Sequence, residues 1–460
     1  MKIDDSIKKQ LIEIVGKTNV STAYEDLLVY SYDATKQKGV PDIILTPHSA
    51  HEISGIMRIA NGHNIPVYPR GAGSGLTGGS IPLHGGIVLN LSAMNRIIEI
   101  DEKNMIAIVE PGVVVRNFQD AVEKLGLFYP PDPASNMMAT MGGTVGECAG
   151  GLRCVKYGVT RDYVLGLEIV MPNGDIMSFG VRTIKGVTGY DIVRLLVGSE
   201  GTLAITTKII LKLISKPAFI RTFLVFFDDI QNLAQSVIGI ISARIIPSTM
   251  EMIDETSYRI VQKYKGVSAS DRTKGILLIE LDGDKVSVES HKDTVESICK
   301  NNGAFEIRTT TEPEERDDIW DIRRNISPAL YTAAKYKINE DICVPRTAMP
   351  DAFRRVSEIA EKYNLLIAKF GHAGDGNIHI NILYNENDMN TLQRAHKAIE
   401  DIMRMAIELG GTLSGEHGIG IAKAPYLKFE IHDSELNLMR SLKRLFDPNN
   451  ILNPGKIFPD

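Results

Sequence analysis

From about Asp42 to Leu213 apolar positions come in short strand-like runs, IILT, PVYP, GIVLNL, IAIVE, GLEIVM and GTLAITTKIILKL, set between glycine-rich loops and short helical stretches. Interleaving of this kind predicts a mixed α+β domain. Within it, HEISGIMRIANGHN repeats apolar residues at helical spacing and predicts a helix that ends before a new strand at Ile65–Tyr68. The first residues, MKIDDSIKKQLIEIVG, predict an amphipathic helix whose charges interrupt any candidate signal core. After Lys216-Pro217 the texture changes. FIRTFLVFFDD, NLAQSVIGIISARI, PSTMEMID and SYRIVQKY read as strand, helix, strand, helix, and GILLIELDGD, SVESHKDTVESICKNNG and FEIRTT as strand, helix, strand. This pattern predicts a ferredoxin-like antiparallel sheet with helices on one face. A charged helix is expected from Glu312 to about Lys335, further strands and helices to Leu409, and a closing helix from about Ser434 that runs into SLKRLFDPNNILNPGKIF. The fold class is α+β. The first domain is expected over residues 1–215, with 428–460 returning to it, and a cap or substrate domain over 216–427.

Composition narrows the function. A chain of 460 residues exceeds one typical domain. Its 51 basic and 57 acidic residues leave a net charge of −6, without the basic run that nucleic acid or an anionic membrane would require. No apolar stretch is long enough to cross a bilayer, and no address segment is evident, so a cytoplasmic location is expected. The cysteines at 148, 154, 299 and 343 form no CxxC pair, which speaks against a zinc ribbon or iron–sulfur ligand set and for isolated thiols.

Glycines cluster in three places. Pro69 to Gly79, PRGAGSGLTGG, contains GxGxxG as Gly73, Gly75 and Gly78. A dinucleotide fingerprint needs a helix directly after it. The chain continues instead as GSIPLHGGIVLNL, a proline-interrupted loop and a strand, so an NAD fold is disfavoured. The loop's backbone N–H groups suit a pyrophosphate instead. The second cluster is PPDPAS at 130–135 with ATMGGTVG at 139–146, a rigid wall beside a close backbone approach to a flat ligand. The third is GSEGTL at 198–203, entering the strand AITTKIILKL.

Two motifs in the second half carry candidate chemistry. In GHAGDGNIHIN, at 371–381, Asp-Gly-Asn favours a tight turn that lets His372 and His379 approach each other. Alternation beyond the turn puts His379 and Asn381 on one face of a strand. In SGEHGIG, at 414–420, glycines leave Glu416 and His417 accessible. Two histidines and a carboxylate, His372, His379 and Glu416, make a common ligand set for a divalent cation such as zinc, iron or manganese. Such an ion would polarise a substrate hydroxyl. His417 is then the candidate general base.

Taken in order, the three glycine clusters resemble the FAD-binding domain of the vanillyl-alcohol oxidase / p-cresol methylhydroxylase (PCMH-type) superfamily. In that superfamily the first loop wraps the FAD pyrophosphate, and the later two contact the flavin side and the ribityl chain. The resemblance implies cofactor contacts at Arg70, Gly71, Ala72, Gly73, Ser74, Gly75, Leu76 and Thr77, then at Pro131, Asp132, Ser135, Gly142, Gly143, Thr144 and Gly146. It adds Glu200, Gly201, Ile205 and, from the tail, Asn453. The glycine loop lacks the histidine that attaches flavin covalently in some members, so the FAD is expected to be non-covalent. HAGDGNIH, SGEHGIG, the WxxR helix and the tail LNPGKIF look like the D-lactate/glycolate dehydrogenase branch, which is related to D-2-hydroxyglutarate dehydrogenase. The resemblance runs from about Asp42 to Phe458.

It implies FAD-dependent oxidation of a small D-2-hydroxy acid, D-lactate first and glycolate next. Arg323 would grip the carboxylate, with Ser327 and Asn381 also at the substrate. A lysine of the hydroxyglutarate enzyme falls at about Asn339 here, which removes a cation for a second carboxylate. The branch passes electrons to quinones, iron–sulfur subunits or an electron-transferring flavoprotein, so a partner subunit of one of the last two kinds is expected. D-2-hydroxyglutarate dehydrogenase and a non-redox flavin-dependent synthase of the same superfamily are the alternatives.

Overall fold

The computed structural model describes residues 3–35, 37–385 and 389–458. They form two compact units: Met1–Ala149, Val159–Lys216 and Glu416–Asp460 in the first, Gly150–Gly158 and Pro217–Gly415 in the second.

The first unit holds two main sheets. Strands Ile43–Leu45, Ile87–Asn90 and Val67–Arg70 run parallel, with Val20–Ser21 antiparallel at one edge. The helix Ala50–His63 starts where the Ser49 side chain accepts Glu52 N–H and stops at Asn64 in the left-handed region. Its Ile53, Ile56, Met57 and Ala60 bury at helical spacing against Ile43, Leu45, Val67, Ile87 and Leu89. The strand expected at Ile65 begins at Val67, because Ile65 N–H is still bonded to Ala60 O at 2.9 Å in the helix end. The second sheet has five antiparallel strands in the order Ile97–Asp101, Ile106–Val109, Ile205–Lys212, Val164–Val170 and Ile176–Gly180. No helix comes after the glycine loop. Turns and bends lead from Gly71 to the strand at Ile87, as the prolines and glycines predict.

The second unit is built on one antiparallel sheet whose strands, in chain order, are β1 (Phe219–Phe227), β2 (Thr249–Asp254), β3 (Gly275–Gly283), β4 (Ala304–Thr310), β5 (Tyr336–Cys343), β6 (Leu366–His372) and β7 (Asn377–Tyr384). Their order in space is β4-β1-β3-β2-β6-β7-β5. Registered neighbours share a face, so Phe226, Ile276, Ile253, Phe370, His379 and Asp341 form one row across six strands. Apolar at one end and ionisable at the other, this row points to where the chemistry sits.

Helices cover both faces of the sheet rather than the one expected. Ile276 packs with Tyr258 and Val261 of the helix Glu255–Tyr264. On the opposite face, a Cβ at Gly275 would meet Ile230 and Leu233 of the helix Ile230–Ser242. The physical reason is written in β3 and β7, which are buried without alternation, as strands covered twice must be.

The charged helix expected over 312–335 is two, α1 (Pro313–Arg324) and α2 (Ile326–Ala333), separated at Asn325. Pro328 lacks the N–H that would bond to Arg324 and its ring crowds that carbonyl, which breaks the ladder there. The return to the first unit begins at Glu416, ahead of the expected 428. Thr77 Oγ1 donates to His417 O at 3.2 Å, and the N–H groups of Ile421 and Ala422 both donate to Thr77 O, fastening this segment. Residues 150–158 belong with the second unit, where Tyr157 OH bonds Asp282 at 2.8 Å.

Candidate functional site

Arg316, Trp320 and Arg323 lie on one stripe of α1. Arg316 Nη2 and Trp320 Nε1 donate to Glu280 Oε1 at 3.1 and 2.8 Å. Arg323 Nε donates to Glu251 Oε2 at 2.5 Å. Glu251, with no accessible surface, stands in register with His372. Its Oε1 lies 2.5 Å from His372 Nδ1. A carboxylate there favours Nδ1 as the N–H nitrogen and Nε2 as the lone-pair nitrogen. That Nε2 lies 3.3 Å from His379 Nε2.

The turn that joins β6 to β7 closes as the sequence predicts, with Gly376 N–H bonded to His372 O at 3.0 Å. Gly376 is required there: its φ is +91°, and a Cβ would lie 1.9 Å from Val344 O. Asp341, across from His379 on β5, accepts Asn377 Nδ2 at 3.2 Å, Ser414 Oγ at 3.3 Å and Gly415 N–H at 2.7 Å. Gly415 is therefore tied beside His379, and Glu416 is one peptide bond further on. The ligand atoms of His372, His379 and Glu416 all lie within 4.8 Å of one another. These three residues could hold a metal ion. His417 Nε2 is 3.9 Å from Glu416 Oε1.

Arg323, expected at a substrate carboxylate, has its Nε engaged by Glu251 and its guanidinium 4.6 Å above the Phe370 ring. Its terminal nitrogens bond nothing else among the described residues. Ser327 Oγ accepts Lys337 Nζ at 2.9 Å. Asn381 has no accessible surface, and neither its Oδ1 nor its Nδ2 has a partner among the described residues. Glu251, Glu280 and Asp341 were not legible in the sequence: Glu251 and Glu280 sit in largely apolar strands and Asp341 in the mixed run YKINEDIC, none of them inside a histidine motif.

Glu251 links Arg323 to His372, so Glu251→Gln is expected to leave a buried guanidinium unpaired. Breaking one side of a buried pair costs about 3–5 kcal/mol. Chemical denaturation should show a loss of that order, and an unchanged midpoint would mean that the link carries no stability.

In the first unit Arg70 turns inward rather than outward. Its Nη2 donates to Tyr32 O at 2.8 Å and its Nη1 to Ser80 Oγ at 3.4 Å. Gly73, at φ +67°, lies against that guanidinium, where a Cβ would come within 2.2 Å of Nη2. A Cβ at Gly71 would lie 2.2 Å from Thr140 Oγ1, which itself accepts Gly143 N–H at 3.3 Å. The first two glycine clusters are thereby locked together. At Gly75 and Gly146, by contrast, a Cβ would meet nothing within 4 Å. Those two positions form the open side.

Other residues of the expected cofactor set serve the scaffold through the groups they engage. Pro131 O accepts Gln119 Nε2 at 2.9 Å, Asp132 accepts Asn136 Nδ2 at 2.6 Å, and Thr144 Oγ1 donates to Met141 O at 2.9 Å. Glu200 accepts Ile419 and Gly420 N–H groups, both at 2.7 Å. Asn453 Nδ2 donates to Gly79 O at 2.9 Å and Glu200 O at 2.7 Å, joining the first loop, the third cluster and the tail.

Asn453 Oδ1, Glu147 Oε2 and Asp33 Oδ2 are buried without a partner among the described residues. Burial, then the neighbouring Glu200 and Asp33, push the Glu147 carboxyl well above its ordinary value. Burial pushes Lys456 down to about 7, against the pull of Asp33 and Glu200. Sequence reasoning did not find Asp33, Glu147 or Lys456: Glu147 and Lys456 only border glycine motifs, and Asp33 lies outside any. An open backbone edge beside unpaired buried polar atoms fits a large polar cofactor such as FAD.

Residues 41–180 match the family described as "FAD binding domain", and residues 216–457 match "FAD linked oxidases, C-terminal domain". The chain is 44% identical over 457 residues to "Glycolate oxidase subunit GlcD" of Bacillus subtilis, covering 99% of this chain and 97% of that one. It is 34% identical over 436 residues to "D-lactate dehydrogenase" of Archaeoglobus fulgidus, covering 93% and 95%. In structure it resembles p-cresol methylhydroxylase, with a TM-score of 0.80 at 19% identity over 98% of this chain and 96% of that one. For alkyldihydroxyacetonephosphate synthase the score is 0.77 at 21% identity, over 98% and 86%.

The fold is thus the α+β, PCMH-type fold of FAD-binding proteins. The chain belongs to the FAD linked oxidases, and FAD is its cofactor. Among the described residues, no helix is long and apolar enough to cross a membrane.

Proposed function

We propose that this flavoenzyme oxidises a small D-2-hydroxy acid to the 2-oxo acid, with D-lactate and glycolate the substrates to test first, and passes the electrons to a partner protein. The observation that carries the reading is the close approach of His372, His379 and Glu416, with His417 next in the chain. Relatives named for glycolate oxidation and D-lactate dehydrogenation support the substrate class.

FAD, held without a covalent bond by the glycine loops and Asn453, supplies a two-electron acceptor when bound. A zinc, iron or manganese ion held by His372, His379 and Glu416 supplies a Lewis acid for the hydroxyl oxygen. The donor set fits one, because two imidazole nitrogens on a tetrahedral zinc stand roughly 3.3 Å apart, and the two Nε2 atoms are separated by 3.3 Å. Glu251 behind His372 is the carboxylate–histidine arrangement that orients a ligand.

His417 takes the hydroxyl proton as hydride leaves C2. Arg323, anchored through Nε, orients the carboxylate, with Asn381 and Ser327 also at the substrate. The partner is an electron-transferring flavoprotein or an iron–sulfur protein. Relatives named as subunits support a complex, and the cytoplasm is the compartment this chemistry suits.

The test is anaerobic flavin reduction across a panel of D- and L-2-hydroxy acids, with metal analysis of the same sample. D-Lactate or glycolate should bleach the flavin, L-lactate should not, and about one divalent ion per chain should be found. A flavin that dithionite bleaches but no 2-hydroxy acid does would remove the reading.

A further inference from the structure

One face of β5 and β7 carries an unsatisfied polar site next to the histidine pair. Asn339 and Asn381 are register partners, directly beyond the Asp341–His379 pair on the same face. The β6 neighbour of Asn381 is Ala368, whose methyl offers the amide no hydrogen bond. Asn381 Oδ1, Asn381 Nδ2 and Asn339 Oδ1 are all buried without a hydrogen bond among the described residues. Burying one such group carries a desolvation penalty, and folded proteins keep few of them. Three at one spot, one strand repeat from the candidate ligand His379, describe a binding subsite.

Its inventory says what it takes. A carboxylate only accepts hydrogen bonds. It satisfies Asn381 Nδ2 and leaves both amide oxygens facing a group with nothing to donate. The methyl of lactate and the hydrogen on C2 of glycolate leave them equally unpaired. A hydroxyl offers one donor and two acceptor lone pairs, so it accepts from the amide N–H and donates to one of the two oxygens, which no carboxylate, methyl or carbon-bound hydrogen does. Turning the Asn381 amide over leaves the same donor and acceptor count at that residue.

We propose that the substrate site selects a 2,3-dihydroxy acid, whose C3 hydroxyl is held between Asn339 and Asn381, over an acid that ends in a methyl group. The inference rests on the 2-hydroxy-acid reading and moves the preferred substrate from D-lactate to its 3-hydroxy analogue. The chemistry at C2 is unchanged. Hydride passes from C2 to FAD, the hydroxyl proton passes to His417, and the product is a 3-hydroxy-2-oxo acid.

The experiment measures anaerobic flavin reduction in the holoenzyme with D-glycerate, D-lactate and glycolate. A site that hydrogen-bonds a hydroxyl discriminates strongly against the analogue that lacks it, so D-glycerate should exceed D-lactate by at least about tenfold in kcat/KM. In Asn339→Val that ratio should fall to about one. Should D-lactate equal or surpass D-glycerate in the wild-type enzyme, or the ratio survive in Asn339→Val, the proposal is overturned while the 2-hydroxy-acid reading stands, the amides then holding water. Bleaching by none of the three overturns both.

Discussion

Glu416→Ala is expected to lower turnover by about a thousandfold or more while the protein keeps its flavin absorbance. The side chain lies in the segment after Gly415, whose N–H is fixed by Asp341, and its carboxylate is within 4.8 Å of both imidazole donors. Loss of an outer-shell partner alone typically costs about 10–100-fold in metal affinity or activity, so loss of a ligand should cost more. The variant deletes the negative charge of the donor set and leaves two neutral imidazoles to hold a doubly charged ion. His372→Ala should behave alike, because it removes both a donor and the group that Glu251 orients. Two readings separate this from general damage. The metal content of both variants should fall, and flavin content should stay at the wild-type level. Full turnover in both variants would take the cation out of the mechanism.

What the sequence made legible was local. Asp375-Gly376-Asn377 announces a tight turn, and a turn of that length forces His372 and His379 together, whatever the rest of the sheet does. The absence of a helix after Gly79 was readable from the proline and glycines at 82–86. What it hid depends on strand order. Glu251 reaches His372 because β2 lies beside β6, and nothing in the run TMEMID signals that neighbour. Arg70 sits in the glycine motif, yet its guanidinium folds back onto Tyr32 O, a contact set by tertiary packing. Helices on both faces were visible in principle in GILLIEL, because an unbroken apolar run is the mark of a strand covered on both sides. NIHINILY alternates apolar and polar residues, and its burial on both faces is set by the tertiary packing.

Gly75→Val should yield a folded, colourless protein. Among the glycines of the first loop, Gly75 is the one whose added Cβ meets nothing within 4 Å, and its φ lies outside the left-handed region. A Cβ there meets no neighbouring atom, so the valine side chain projects into open space. On the proposed reading, that is the space the FAD pyrophosphate takes. FAD content should drop below about a tenth of wild type, since sub-van-der-Waals overlap with a bound phosphate cannot be relieved by moving a fixed backbone.

Gly73→Val is the contrasting case. It forces a β-branched residue into a positive φ and into the Arg70 guanidinium, which should cost stability on the order of 2–3 kcal/mol whether or not flavin is present. Thermal melting of the flavin-free proteins therefore distinguishes the two positions: Gly75→Val should melt with the flavin-free wild type, and Gly73→Val well below it. A yellow, fully loaded Gly75→Val would mean that the open edge of the loop faces something other than the cofactor. The assignment of Gly71–Gly79 as the pyrophosphate cradle would then have to be given up.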